Sequence, residues 1–136
     1  KFMTEGNKWD MLDHNSILNG RRNAVNGVIK RFENQKKNPT LETDIHVVRI
    51  GDAAFATNRF ELFMDFMHRI QGRSPFLQTF VVQLCGDEGA DYLATERAVK
   101  NRGYSASLFE NPVSYIGGNQ LVEESLEMLA ELKLKD

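Results

Sequence analysis

Apolar residues recur along this chain in different rhythms, and each rhythm predicts an element. From Asn15 to Gln35 the positions Ile17, Leu18, Val25, Val28 and Ile29, continued by Phe32, keep helical spacing. Asn15 or Ser16 is the expected N-cap, because a short side-chain oxygen there accepts an orphan backbone N–H. Lys36-Lys37-Asn38-Pro39 ends that helix, since proline cannot extend the hydrogen-bond ladder and biases the residue before it away from helical angles. Residues 1–14, with Gly6 and scattered polar groups, are expected to form a flexible lead-in to a single α/β domain over residues 15–136.

The rhythm then changes. Ile45 to Ile50 and Ala53 to Thr57 are β-rich runs separated by Gly51-Asp52, which predicts a hairpin with a type II′ turn. Phe60, Phe63, Met64, Met67 and Ile70 return to helical spacing and predict a helix over 60–71, closed by Gly72 and Pro75. Phe76 to Leu84 reads as a buried strand. A Gly- and Asp-rich loop follows from Cys85 to Asp91, then a short helix beginning near Thr95 and an irregular stretch from Gly103 to Gly118. Leu121, Val122, Leu126, Leu129 and Leu132 mark a last amphipathic helix over 119–134. The expected fold class is α/β: a mixed sheet of about three strands or more, flanked by three or four helices, as part of a larger domain.

A length of 136 residues fits one compact domain. With 41% hydrophobic and 26% charged residues, the chain is neither a disordered tail nor a low-complexity repeat. The formal net charge of -2 argues against a nucleic-acid partner, which would be recognised by phosphate neutralisation. The charge is uneven: residues 1–40 hold eight of the 17 basic and four of the 19 acidic side chains, leaving nine and fifteen for the rest. That basic helix fits a solvated face or an acidic partner best, with an anionic lipid surface as a weaker idea. No apolar run reaches transmembrane length, and the first residues hold no apolar signal segment. The chain starts at Lys1 rather than Met, as a piece of a longer protein would. One cysteine, Cys85, gives no internal disulfide and reads as a core thiol.

No zinc-protease, P-loop, paired-cysteine or serine-elbow motif is present. His14, His46 and His68 are not spaced one helical turn apart, so each reads as a packing or surface residue. Glu61 and Tyr92 stand out by position. Glu61 is expected in the first turn of the 60–71 helix, where a carboxylate complements the helix N-terminus or serves a site at the C-terminal edge of a sheet. Tyr92 follows the loop after the next strand. A separation of 31 residues is one helix, one strand and a loop, which in a parallel strand–helix–strand unit brings both to the same edge.

The run from Ile50 to Phe63, with Gly51-Asp52 and Glu61, taken with Tyr92-Leu93-Ala94-Thr95-Glu96-Arg97-Ala98 and Gly103-Tyr104-Ser105-Ala106, resembles the C-terminal part of the catalytic domain of the neutral/alkaline non-lysosomal ceramidases and their bacterial relatives. The resemblance spans roughly residues 16–134 and rests on the order of these segments. It implies a zinc-dependent amidohydrolase acting on an N-acyl amide or lipid substrate. It further implies that Glu61 and Tyr92 are two metal ligands, and that two histidines come from an upstream half of the same domain. On this view the chain holds half a zinc site and is inactive alone, and its exposed apolar face is available for self-association. An exported or periplasmic location is implied as well. Leu62-Phe63-Met64 departs from the small, hydroxyl-rich residues that follow the glutamate in ceramidases proper, which leaves the lipid substrate open. The alternative is a non-catalytic α/β interaction module in which Glu61 caps a helix and Tyr92 packs.

Overall fold

The computed structural model describes residues 1–86 and 91–135 and divides the chain into two units, Lys1–Thr40 and Leu41–Asp136. The first unit is built on one helix, α1 (Lys8–Asn34). It starts at Lys8 rather than Asn15, because Asn7 is the N-cap and its side-chain oxygen accepts from the Trp9 N–H at 2.8 Å. Asn15 therefore lies inside the helix, where its amide grips the lead-in from both sides. Met3 N–H donates to its Oδ1 at 2.8 Å, and its Nδ2 donates to the Met3 carbonyl at 2.9 Å. The helix thus reaches into the expected lead-in over 1–14, and Met3 ahead of it is bonded to Asn15. No residue of α1 is buried, and Ile17, Val25, Ile29 and Phe32 are all exposed.

The second unit opens with the expected hairpin. β1 (Val47–Ile50) runs antiparallel to β2 (Ala53–Thr57), with Val47 opposite Ala56 and Ile50 opposite Ala53. Gly51 takes a φ of 60° at the first turn position, a conformation that costs glycine little and that a type II′ turn requires. Then come β3 (Glu61–Leu62), α2 (Met64–Arg73) and β4 (Gln78–Val82), which pairs parallel with β2 to give the order β1-β2-β4. β5 (Tyr92–Leu93) pairs parallel with β3 in a separate two-stranded sheet. α3 (Glu96–Asn101), a 3-10 turn (Tyr104–Ala106) and α4 (Tyr115–Lys133) follow, so the fold is mixed α/β. Residues 87–90 of the expected loop lie outside the described residues.

α2 and α4 pack together on one face of the three-stranded sheet. Ala54 and Ala56 keep that face low, and Phe66, Ile70, Leu121, Val122, Leu126 and Leu129 fill the space above it. Full burial of each such large side chain contributes about 1.5–3 kcal/mol. The helices approach closely at Gly118, where any Cβ would overlap the Phe66 ring. Arg73 clamps Glu123 with two hydrogen bonds of 2.6 and 2.7 Å at the outer rim of the pair.

Two elements differ from their sequence pattern. The helix expected over 60–71 starts only at Met64, because backbone donors before it are taken elsewhere: Phe60 N–H locally by Asn58 Oδ1, Glu61 N–H by the distant Asp91 carbonyl and Leu62 N–H by the distant Gln83 Oε1. The strand expected to be buried, 76–84, is an edge strand whose burial alternates. Thr79 is buried while Phe80 and Val82 are exposed on the other face, which they share, across β2, with Val48 and Ile50 of β1. Phe55 and Phe80 stack there with ring centroids 5.0 Å apart.

Candidate functional site

The site is set by the small β3–β5 sheet. Parallel pairing places Glu61 directly opposite Tyr92 and Leu62 opposite Leu93. Leu93 is fully buried, which fixes the strand's register and turns the alternate residue, Tyr92, outward. Backbone bonds lock both strands: Glu61 N–H to the Asp91 carbonyl at 2.9 Å, and Tyr92 N–H to the Glu110 carbonyl at 3.0 Å. The loop behind them is organised by Asn111. Its Oδ1 accepts from Ala94 N–H at 2.9 Å, and its Nδ2 donates to the Ser105 and Ser107 carbonyls at 2.8 and 3.1 Å.

Glu61 is in a strand, so the expectation that it occupies a helix first turn is corrected: it caps nothing. Hydrogen bonding to the Glu61 carboxylate, followed by that carboxylate's charge, holds the Tyr92 phenol above its ordinary pKa. Tyr104 meets Tyr92 edge to face, with centroids 6.2 Å apart and ring planes at 78°. Its own phenol is raised chiefly by the charge of Glu110, with a smaller contribution from Glu61. Two carboxylates and two phenols therefore share one edge. Among the described residues neither Glu61 nor Glu110 has an ion-pair partner.

Sequence reasoning placed Glu61 and Tyr92 at one edge and missed Tyr104 and Glu110. Gly103-Tyr104 stands out in the sequence only as part of a segment, and nothing in spacing marks Glu110, which arrives through an irregular loop. Of the histidines, His14 is in α1 of the first unit, His46 is exposed just before β1, and His68 is exposed on α2. Cys85 is half-buried beside His46 and Arg59 in a separate cleft of about 580 Å³. Among the described residues no three His, Cys, Asp or Glu side chains converge to hold a metal.

As a donor set for zinc, Glu61 and Tyr92 fit in part. Both are hard oxygen donors, adjacent in register and free of a competing cation, and a divalent ion needs further ligands to complete a cage. Among the described residues no helix is long and apolar enough to cross a membrane. No protein-family model, no curated protein and no solved structure matches this chain.

Proposed function

We propose that this chain is the downstream part of a zinc-dependent amidohydrolase domain similar to the neutral ceramidases, contributing Glu61 and Tyr92 to a metal site completed by two imidazoles from an upstream half of the same domain. The observation that carries this reading is the register of β3 against β5, which sets Glu61 opposite Tyr92 at one sheet edge. A zinc ion held by Glu61 and Tyr92 would supply Lewis acidity toward an N-acyl amide carbonyl and would acidify water.

This chain's own residues do three things. The Glu61 carboxylate provides negative charge that favours a cation. The Tyr92 hydroxyl holds a proton that it must release to ligate, so binding is coupled to proton loss. Tyr104 and Glu110 add a second phenol and carboxylate that raise the local negative charge further. Without the upstream imidazoles the chain is inactive on amide substrates.

The alternative is a non-catalytic α/β interaction module. The same register favours it as well, because Glu61 beside Tyr92 keeps the phenol protonated without an ion. Zinc titration with ultraviolet difference spectroscopy separates the two. The expected result is weak zinc binding accompanied by the tyrosinate band, abolished in both Glu61→Gln and Tyr92→Phe. Zinc binding with no tyrosinate signal, or binding unchanged in both variants, overturns the metal reading and leaves the module.

A further inference from the structure

Glu61 and Tyr92 face each other across a sheet with only two residues in each strand. A parallel pair that short, with no third strand, has little ladder of its own to hold it. The backbone donors show what holds it instead. Along β3 they alternate in direction. Glu61 N–H goes to the Asp91 carbonyl at 2.9 Å and Phe63 N–H to the Leu93 carbonyl at 3.3 Å, both toward β5. Leu62 N–H, between them, points to the opposite side and donates to Gln83 Oε1 at 2.9 Å. On the outer side of β5, the Glu110 carbonyl and Asn111 Oδ1 take the Tyr92 and Ala94 N–H groups in the same way. We propose that Gln83 is a positioning residue of the Glu61–Tyr92 site. Its side-chain carbonyl stands where a neighbouring strand would be and fixes the Glu61–Leu62 peptide, and with it the direction of the Glu61 side chain. The inference rests on the reading of Glu61 and Tyr92 as metal ligands and adds the residue that orients one of them.

The backbone on either side of Gln83 is itself tied to the chain that leads into β3. Asn58 N–H donates to the Val82 carbonyl and Cys85 N–H to the Asn58 carbonyl, both at 2.9 Å. The buried Asn58 side chain then takes the Phe60 N–H on its Oδ1 at 3.0 Å. Gln83 lies between the first two of these bonds, so its side chain reaches Leu62 from a held backbone. Every residue of the arrangement belongs to the second unit. Gln83 is exposed and takes no part in the buried core. Removing its acceptor therefore deletes one hydrogen bond at the site and leaves core packing as it is. Such an outer partner matters to a metal because it sets where the ligand atom sits, and losing one costs about 10–100-fold in metal affinity.

The test reads geometry and metal separately. In the 136-residue chain, Glu61→Cys and Tyr92→Cys are combined with Cys85→Ser, and the disulfide between positions 61 and 92 is equilibrated against glutathione without metal. Directly paired positions of neighbouring strands lie within disulfide reach. Gln83→Leu is expected to lower the effective concentration of the two thiols about three- to tenfold, which is what one lost hydrogen bond is worth. Gln83→Glu keeps an acceptor and should retain the parent value, with circular dichroism unchanged in both. In the chain with Glu61 and Tyr92 intact, Gln83→Leu should weaken zinc binding, read from the tyrosinate band, by about tenfold or more. A disulfide indifferent to Gln83→Leu overturns the proposal. So does an equal loss in Gln83→Leu and Gln83→Glu, or zinc binding that Gln83→Leu leaves unchanged. A wild-type chain without the tyrosinate band overturns the metal reading instead, and the disulfide alone then decides the role of Gln83.

Discussion

The two units of this chain are held together by different physics. α1 has 27 residues and none buried, so it rests on backbone hydrogen bonds, helix propensity and its ends. The second unit has shorter elements, two strands of only two residues among them, yet contains the whole buried core from Ala54 to Leu129. Length gives a helix its turns. Burial gives the second unit its cooperativity, and the same side chain counts for little in one and for much in the other.

The sharpest way to break the comparison is a matched pair of truncations. Phe66→Ala removes a ring wedged between α2 and α4 and should cost about 3–5 kcal/mol, whereas Val25→Ala at an exposed position of α1 should cost less than about 1 kcal/mol. Thermal unfolding followed by near-ultraviolet circular dichroism measures both; a Phe66→Ala cost below that of Val25→Ala would refute the account. A glycine pair comes next. Gly118→Ala pushes a methyl into the Phe66 ring and should destabilise by about 1–3 kcal/mol. Gly27→Ala meets nothing and should stabilise α1 by about 0.5–1 kcal/mol, visible as higher far-ultraviolet helicity on heating.

Smaller effects test the ends and the rim. Asn7→Ala removes the Trp9 cap and should cost about 1 kcal/mol of α1 alone, read as faster amide exchange over its first turn. The Arg73 hydrogen bond is the main cause holding the Glu123 carboxyl below its ordinary pKa. A carboxyl depressed in the folded state contributes stability at neutral pH, and this is lost as pH falls through the lowered value. Arg73→Gln should therefore flatten the acid limb of the stability curve slightly, because the pair is solvent-exposed. An unchanged acid limb would remove Glu123 from that account.

Much of the fold was legible along the chain. The Gly51-Asp52 hairpin, the last amphipathic helix and the α/β class follow from local turn chemistry and periodicity. The meeting of Glu61 and Tyr92 was legible from spacing, since a strand–helix–strand unit returns the chain to the edge it left. The secondary structure at Glu61 was not. Phe60, Phe63, Met64, Met67 and Ile70 carry an unbroken helical pattern, and only the distant acceptors at Asp91 and Gln83 draw Glu61 and Leu62 into a strand. Nor was the start of α1, because Asn7 and Asn15 are equal as caps in sequence and differ only in what they bond.

What the sequence alone determined is therefore periodic and local: which faces are apolar, where glycine must turn, where the charge lies. Tertiary structure decided which apolar face finds a partner. Val81 and Phe80 are neighbours on β4, yet Val81 packs against the core while Phe80 stays exposed, because α2 and α4 cover one side of the sheet. It also decided that Tyr104 and Glu110 join Glu61 and Tyr92, since an irregular loop pinned by Asn111 carries no periodicity to read. Alternation in a strand specifies two sides, and only packing assigns one of them to the interior.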